Sequence, residues 1–431
     1  MAGKGLAPPT VLPARFLQAH RSEKIQHIVI VIQENRSLND LFYGFPGART
    51  VAYGYDTANK KIPLKPVGLE AKWDLAHNSN GFLLACNGVG SVPGTDCRMN
   101  GFNRERVNCG PGHPCPKNSH PQYAYVPHTE TQPYFEMARQ YVLADEMFAS
   151  DFDASSFVSH QYIIAGQASS TVNYPDTNWG CPGGKADKIY TVTQSRGFGK
   201  PITACFENTT LADELDTAGI SWAYYAITIN PGAVPGTWSA YQAIRHIYSG
   251  PDWAKDIISP PAQFLNDVSK GRLRSVTWVT PTLANSDHSG YGSKTGPSWV
   301  ASLVNAVGKS KYWKSTAILI FWDDYGGWFD PQAPNYVDYD GLGLRLPLLV
   351  ISPYALKGRV SHTHYEHGSL LRFVEDTFGL GRLSASDKRA NSIDDCFDFT
   401  QPPRKFVPIP AKYDQSYFLR QPLDLRPPDT E

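Results

Sequence analysis

The stretch IVIVIQENRSLND at residues 28–40 guides the interpretation of the whole chain. Five apolar residues, Ile28 to Ile32, run directly into QENRS. A continuous apolar run of this length is typical of a strand that is buried on both faces of a sheet. An ordinary loop needs no carboxylate, amide and guanidinium in succession, so the abrupt change indicates that the strand ends at a site that binds a charged group.

A second apolar run ends in the same way, because AILIFW at residues 317–322 leads directly into DDYGG. In a parallel sheet, ligands gather beyond the carboxyl ends of the strands, so we expect Glu34-Asn35 and Asp323-Asp324 to meet in one crevice. Three carboxylates placed together would repel one another unless a cation neutralised them. The two runs therefore predict one divalent metal ion with oxygen ligands.

Each pair also has a simpler explanation. Adjacent aspartates before two glycines are common in solvated turns, and Glu34-Asn35 could cap a helix that begins near Ser37. The occurrence of both pairs after apolar runs favours the metal site.

Apolar runs alternate with amphipathic stretches along the chain. This alternation indicates an α/β fold built on a buried, mostly parallel central sheet. Further strands are expected at residues 220–226, 273–279 and 346–351, and helices at residues 210–219, 261–270, 298–307 and 368–378.

Composition divides the chain into three parts. Residues 51–131 are rich in Gly, Pro, Asn and Cys and are too long for an ordinary connection, so we expect a loop-rich insertion that caps a site. It lies within one large domain at residues 24–400. An N-terminal arm at residues 1–23 precedes this domain, and a Pro-rich tail at residues 401–431 is expected to lie extended on its surface.

The nucleophile candidate lies in ASDFDASSFVSHQYIIAGQASS at residues 149–170. A polar turn leads into a helix expected at residues 157–166, which puts Ser156 at the helix N-terminus. Free N–H groups and the helix dipole there stabilise a serine alkoxide or the phosphate that it attacks. The alternative is that Ser155 or Ser156 only caps the helix. The chain has no G-x-S-x-G elbow and no nucleotide-binding glycine motif.

Histidines are candidates for proton transfer and for contacts with phosphate. His288, in LANSDHSGYG, follows an expected strand and is the strongest of them. His160 lies one helical turn after Ser156 and would face the same site. His77 lies in WDLAHNSNGF, and three more histidines crowd into SHTHYEHGS at residues 361–369. Any of these imidazoles could instead simply pack or cap.

Composition and charge exclude two classes of partner. Lys+Arg and Asp+Glu both number 40, so the basic excess of a nucleic-acid-binding protein is missing and no nucleic-acid partner is expected. No run of 18 apolar residues occurs, so no integral membrane segment is expected. The hydrophobic fraction of 41% supports a substantial core.

The cysteines bear on the cellular compartment. Six of them form three close pairs in the sequence, Cys86 and Cys97, Cys109 and Cys115, and Cys181 and Cys205, and Cys396 is left over. This spacing favours an oxidising compartment over a zinc site, while the connectivity stays open. The first twenty residues lack the apolar segment of a signal peptide. We expect a secreted or periplasmic protein whose leader is absent here, with a cytosolic protein as the alternative.

Several motifs resemble the bacterial phosphoesterase family of non-specific phospholipases C and an acid phosphatase, within the alkaline-phosphatase and arylsulfatase superfamily. The resembling pieces, in the family's order, are IVIVIQENRSLNDLFYGFPGA, QPYFEMARQYVLADEMF, SSFVSHQYIIAGQ, SKYWKSTAILIFWDDYGGWFDP, GLRLPLLVISPYALKG and YEHGSLLRFVEDTFGL. The resemblance covers about residues 24–380. It implies an alkaline-phosphatase-like sheet with helices on both faces.

The resemblance also implies roles for individual residues. The metal ligands would be Glu34, Asn35, Asp323 and Asp324. The nucleophile would be Ser156, which forms a phosphoseryl intermediate that water then hydrolyses. His77 and His160 would contact the substrate, and His288 would protonate the leaving oxygen. The metal would be one divalent ion, with Ca²⁺, Mg²⁺, Mn²⁺ and Zn²⁺ all open.

The chain departs from the family pattern in places. Ala154-Ser155 stands where many members have Gly-Pro, Ser159 replaces a frequent asparagine, and Asn100 stands where an acidic residue is common. These departures concern substrate and efficiency more than fold. The expected substrate is a phosphate ester, either a phosphodiester such as a phospholipid or a phosphomonoester. The oligomeric state is left open.

Two other functions are possible alternatives for such a chain. A sulfatase would need a C/S-x-P-x-R context around its nucleophile, and Ser156 is followed by Phe-Val-Ser. A non-catalytic binding protein could keep the fold and the metal, although the full set of candidate residues favours an enzyme. Tyr174, Trp179, Trp238 and Tyr241 are either contacts for a lipid or choline-like head group or, as we favour, ordinary packing.

Overall fold

A nine-stranded sheet forms the centre of the protein. The computed structural model describes residues 21, 23–110, 113–176, 178–227, 238–424 and 426. From one edge to the other, the strands are Ile257–Ile258, Trp222–Tyr225, Val276–Val279, His27–Gln33, Thr316–Trp322, Arg345–Ile351, Val142–Phe148 and Arg359–Ser361, with Tyr365–Glu366 also paired to Val142–Phe148.

The sheet is mostly parallel, which confirms the fold class expected from the sequence. Arg345–Ile351 is the one described strand of this sheet that runs against its two neighbours, Thr316–Trp322 and Val142–Phe148. Residues 323–344 contain no helix. The chain therefore makes no crossover connection here and returns in the opposite direction.

The strand His27–Gln33 lies near the middle of the sheet. It pairs in parallel register with strands on both sides, so that Ile28 lies opposite Val276 and Ala317. Every residue from Ile28 to Gln33 is buried. Both faces of this strand are covered, which explains why its sequence shows a continuous apolar run instead of an alternating one.

The helices pack in two groups, as expected for a sheet covered on both faces. Gly296–Gly308 packs against His128–Gln140, Gln263–Ser269 and Gln415–Leu419. His367–Phe378 packs against Ser156–Ala165 and Ala385–Arg389. The remaining α-helices are Leu38–Phe42, Ser79–Cys86, Leu211–Thr217, Arg245–Tyr248 and Pro251–Asp256.

Residues 51–131 contain mainly short elements until the helix His128–Gln140 begins. The strand pairs in this region are Tyr53–Tyr55 with Lys61–Pro63, Lys65–Pro66 with Ala124–Tyr125, and Asp74–Leu75 with Val107–Asn108. A separate sheet consists of Thr171–Val172, Lys188–Val192 and Phe198–Thr203. The three close cysteine pairs are disulfides, Cys86–Cys97, Cys109–Cys115 and Cys181–Cys205, and Cys396 is free and buried.

Residues 401–424 of the tail lie largely outside regular structure, except for the helix Gln415–Leu419, and they bury Ile409 and Phe418. Most of the expected N-terminal arm, together with residues 425 and 427–431 of the tail, lies outside the described residues. The division into arm, domain and tail therefore stays a prediction. Within the described part of the chain, no helix has both the length and the apolar character needed to span a membrane.

Candidate active site

Two strand ends bring the predicted acidic residues together. Gln33 and Trp322 are register partners at the ends of adjacent parallel strands, so Glu34 and Asp323 follow side by side. The backbone N–H of Asn35 donates to Asp323 Oδ1 at 3.0 Å. Asn35 adopts a left-handed conformation with φ of 61°, which asparagine tolerates better than most residues. The four predicted metal-ligand residues are fully buried.

The amide of Asn35 connects Asp324 to His77, which lies within residues 51–131. Its Nδ2 donates to His77 Nε2 at 2.8 Å and to Asp324 Oδ2 at 3.0 Å. His77 Nδ1 lies 2.5 Å from the carbonyl of Leu75, so Nδ1 carries the proton and Nε2 accepts. With Nδ2 engaged in this way, the amide oxygen of Asn35 has no hydrogen-bond partner among the described residues.

The glycine after the aspartate pair permits a close approach. Asp324 Oδ1 accepts a hydrogen bond from the backbone N–H of Gly326 at 2.7 Å. Gly326 has a φ of +62°, and a Cβ atom there would lie 2.1 Å from the carbonyl oxygen of Asn35. A side chain at this position would push the two strand ends apart.

Ser156 is the first residue of the helix Ser156–Ala165 and is fully buried. Its Oγ lies 3.4 Å from Asp324 Oδ2 and 3.5 Å from Asn35 Nδ2. Its backbone N–H donates to the hydroxyl of Tyr174 at 3.1 Å. Ser155 occupies the N-cap position, but its side chain makes no capping hydrogen bond and instead donates to Asp153 Oδ2.

The electrostatics of the site reflect buried, converging acids. Burial raises the pKa of Glu34 well above its usual value, and the charges of Asp323 and Asp324 raise it further. Burial lowers the pKa of His160 to about 4, against the opposing effect of Asp323. Glu34 Oε2 and Asp323 Oδ2 have no hydrogen-bond partner among the described residues. Buried acceptors without donors fit a site that takes a cation.

The predicted histidines lie on two sides of this cluster. The rings of His77 and His288 are 5.6 Å apart, centroid to centroid, and Asp74 completes a group of three metal-ligand-type side chains with them. His160 instead faces Glu34 and Asp323. The structure thus places all eight predicted site residues around the two strand ends, while their individual roles stay predictions.

Arg36, the cation of the opening motif, is fully buried and engaged elsewhere. It forms an ion pair with Asp40 at 3.0 Å, donates to the carbonyl oxygen of Asp287 at 2.8 Å, and stacks 4.5 Å over the ring of Trp328. The helix that follows begins at Leu38, and its cap is Ser37 and not the Glu-Asn pair. Arg36 therefore supports the loop behind the site.

Sequence reasoning did not place three further residues beside Ser156 and the strand ends. Asp74, in WDLAH, lies three positions before His77. His367, in YEHGS, is buried where Asp323 and His160 affect its pKa, which burial lowers to about 4. Tyr174 contacts the backbone of Ser156. Of the aromatic residues weighed for head-group contact, Trp179, Trp238 and Tyr241 are at most 2% exposed, as expected for packing.

Comparison with known proteins gives a family match. The family described as Phosphoesterase family matches residues 25–381 of this chain. Non-specific phospholipase C1 of Arabidopsis thaliana is 24% identical over 444 residues, which cover 91% of this chain and 75% of that protein. Non-hemolytic phospholipase C of Pseudomonas aeruginosa is 24% identical over 471 residues, covering 95% of this chain and 63% of that protein. Phospholipase C B of Mycobacterium tuberculosis is 28% identical over 233 residues, or 46% of this chain and 44% of that protein.

Among solved structures, a protein in the alkaline phosphatase superfamily from Vibrio parahaemolyticus aligns with a TM-score of 0.37 at 12% identity, covering 86% of this chain and 72% of that one. A phosphonate monoester hydrolase from Silicibacter pomeroyi aligns with a TM-score of 0.35 at 11% identity, covering 64% and 73%. At these scores the two likenesses support no conclusion about mechanism.

Proposed function

This chain belongs to the Phosphoesterase family and is a hydrolase that acts on phosphoric ester bonds, and we propose that Ser156 is its nucleophile and that a divalent metal ion supports the reaction. The observation that carries the proposal is the position of the Ser156 hydroxyl. It lies at a helix N-terminus and within 3.5 Å of both Asp324 and Asn35. That position suits a serine that becomes an alkoxide.

The residues present fit a divalent cation. Glu34 Oε2, Asn35 Oδ1 and Asp323 Oδ2 are buried oxygens without hydrogen-bond partners among the described residues, and Asp324 lies beside them. These four side chains would hold the ion. When bound, it lowers the pKa of the serine hydroxyl and screens the charge on the phosphoryl oxygens.

Separate side chains carry out nucleophilic attack and the proton transfers of the reaction. The Ser156 oxygen attacks phosphorus in line with the leaving oxygen, and its proton passes towards Asp324 Oδ2, 3.4 Å away. The bond from phosphorus to the leaving oxygen breaks, and His288 donates a proton to that oxygen. His77 holds the Asn35 amide through the 2.8 Å hydrogen bond. Water then attacks the phosphorus of the phosphoseryl group and gives a proton to His288. The bond from phosphorus to the Ser156 oxygen breaks, Ser156 regains its proton from Asp324, and the phosphate product is released.

The relatives favour a phosphodiester substrate of the phospholipid kind. Those compared above are named phospholipases C, although this chain spans only 63% of the Pseudomonas protein and 44% of the Mycobacterium protein. We therefore propose phospholipase C-like cleavage, with monoester hydrolysis as the competing activity. Three disulfides fit a protein that works in an oxidising compartment, secreted or periplasmic.

The test removes the metal and then the nucleophile. Protein stripped of metal and reloaded with Ca²⁺, Mg²⁺, Mn²⁺ or Zn²⁺ in turn is assayed on p-nitrophenyl phosphate and p-nitrophenyl phosphorylcholine. We expect metal-dependent turnover that falls at least about 10³-fold in Ser156→Ala. Acid quenching during turnover should trap phosphate on the peptide that contains Ser156.

Ser159→Ala is the matched control, because it removes a hydroxyl group from the same helix. That hydroxyl donates to Asp151 Oδ2 at 3.4 Å and not to a residue of the proposed reaction. The variant should leave turnover close to that of the wild type. Activity that survives Ser156→Ala would show that the nucleophile lies elsewhere. A protein that binds metal but cleaves neither ester would favour the non-catalytic alternative.

A further inference from the structure

His160 projects from the helix Ser156–Ala165 onto the two acids of the adjacent strand ends. Its Nε2 lies 3.1 Å from Glu34 Oε1 and 3.7 Å from Asp323 Oδ2, and all three side chains are fully buried. One ligand-type atom from each of the three lies within 4.8 Å of the other two. This cluster differs from the oxygen-only ligand set that the strand ends predict.

The surroundings of His160 Nδ1 indicate which ring nitrogen of the neutral imidazole carries the proton. The hydroxyl of Tyr224 donates to the carbonyl oxygen of Trp238 at 3.0 Å, so towards His160 Nδ1, 3.5 Å away, it acts as an acceptor. A neutral His160 then carries its proton on Nδ1. Its Nε2 presents a lone pair to the carboxylate oxygens of Glu34 and Asp323.

A nitrogen lone pair that faces two carboxylates is repulsive unless a cation or a shared proton lies among them. The second oxygen of Glu34 and Oδ2 of Asp323 also lack hydrogen-bond partners among the described residues. A metal-ligating histidine characteristically donates its other ring N–H to a fixed acceptor, as His160 does to Tyr224.

We propose that His160 Nε2 is a direct ligand of the metal ion, together with Glu34 and Asp323. The site then combines nitrogen with oxygen, and this selects Zn²⁺ or a similar borderline cation over Ca²⁺ and Mg²⁺, which take oxygen ligands. This inference rests on the metal dependence in the proposed function. It moves His160 from substrate contact to metal binding.

The experiment measures metal binding in the full chain without substrate. Zn²⁺ and Ca²⁺ affinities are determined by competition with a chromophoric chelator for the wild type and for His160→Gln. Loss of a ligand should weaken Zn²⁺ binding by at least about 100-fold, while Ca²⁺ binding should change by less than about threefold. Pulsed EPR of the Mn²⁺-loaded protein should show coupling to a directly bound nitrogen that His160→Gln removes.

Two control variants locate the nitrogen. His27→Gln alters a partly buried histidine that contacts the carbonyl oxygen of Arg274, and His367→Gln alters the other buried histidine near Asp323. Both should keep the nitrogen coupling. Three results would each overturn the proposal: the coupling is lost in His367→Gln, it persists in His160→Gln, or the wild type shows none. In each case His160 would only hydrogen-bond to Glu34.

A folding defect in His160→Gln would not block the test. Wild-type protein labelled with ¹⁵N-histidine should replace the ¹⁴N coupling by ¹⁵N coupling, and an unchanged signal would exclude any histidine ligand. Failure of the proposed hydrolysis is distinguishable, since both readouts are made without turnover. An inactive protein that binds Zn²⁺ through His160 would refute the hydrolase and leave the ligand assignment intact.

Discussion

Single side chains divide the proposed reaction between attack by Ser156 and protonation of the leaving oxygen by His288. His288→Gln should slow hydrolysis of alkyl phosphate esters by about 10²–10⁴-fold, because an alkoxide leaves poorly without a proton. p-Nitrophenyl esters should be affected far less, since p-nitrophenolate leaves unprotonated. Comparison of kcat/KM for the two ester types in the wild type and the variant measures this difference. An equal loss on both would show that His288 contacts phosphate and donates no proton.

Asp287, the residue before His288, links the site loop to the core. Its carboxyl group makes the free energy of unfolding depend on pH. Its Oδ2 accepts hydrogen bonds from the Tyr134 hydroxyl at 2.7 Å and from Trp322 Nε1 at 3.0 Å. Burial nevertheless raises its pKa from 3.8 to about 6. A raised pKa means that the folded state binds the proton more tightly than the unfolded state does. The protonated carboxyl therefore stabilises the folded state fully below pH 3.8, and this contribution is lost as pH rises through 6.

Asp287→Asn should remove that pH dependence. The wild type should lose about 2 kcal/mol of unfolding free energy from this group between pH 4 and pH 7, and the variant should not. Urea unfolding of both proteins at the two pH values gives the comparison. If the difference in unfolding free energy between variant and wild type is the same at both, the Asp287 carboxyl does not titrate in this range.

Residues at the site differed in how far the sequence could identify them. Glu34 and Asp323 follow apolar runs whose end points can be read locally, so their meeting was predictable. The orientation of His160 was not, because helical spacing put it on the side of Ser156 but could not show that its ring turns towards the acids. His367 reaches the site from a strand end paired with Val142–Phe148, a contact between segments far apart in sequence.

At the scale of secondary-structure elements, the turn before the helix Ser156–Ala165 holds a strained residue. Ala154 is buried and has a φ of +55°, a left-handed conformation that costs an L-residue roughly 1–2 kcal/mol. The resemblance noted above puts glycine at this position in many family members, which fits the backbone. Ala154→Gly tests the strain against Ala165→Gly, which removes an equally buried methyl group from the helix itself.

The two substitutions should change the free energy of unfolding by different amounts or in opposite directions. Ala165→Gly should destabilise the protein by about 1 kcal/mol or more through lost helix propensity and packing. Ala154→Gly should cost at least about 1 kcal/mol less, because it relieves the left-handed strain. Thermal and urea unfolding of the two variants decide the point. Equal destabilisation would mean that the turn imposes no strain on Ala154.

The element boundaries show where sequence patterns were sufficient. Strands such as Thr316–Trp322 are continuous apolar runs and were expected. Val142–Phe148 was missed because Asp145 and Glu146 interrupt its apolar pattern, although both are buried. Asp145 is held there by His362 Nδ1 at 2.7 Å and by the backbone of Arg49 at 2.8 Å. Local patterns cannot supply such partners, since they come from distant segments.

At the scale of the whole molecule, the C-terminal tail reaches the loop that carries His288. The Nδ2 of Asn285 donates to Gln421 at 2.8 Å, and the backbone N–H of Ala284 donates to Asp424 at 2.9 Å. Arg426 lies 5.1 Å over the ring of Tyr291, which is itself 5.1 Å from the ring of His288. Residues earlier in the tail attach the tail to the core. The ring of Phe418, for example, packs against the ring of Trp299 with their centroids 5.3 Å apart.

Removal of residues 421–431 should therefore separate positioning from stability. Phe418 and Ile409 stay buried in this truncated chain, so its melting temperature should remain within a few degrees of the wild type. Loss of the contacts to Ala284 and Asn285 should free the His288 loop and lower kcat/KM by about 10- to 100-fold, more for alkyl than for p-nitrophenyl esters. Gln421→Ala combined with Asp424→Ala should reproduce most of the loss in the full-length chain. Truncation after Thr400 would uncover Trp299 as well and should destabilise the fold outright. Full activity in the shorter truncation would show that the tail covers the core without positioning the site.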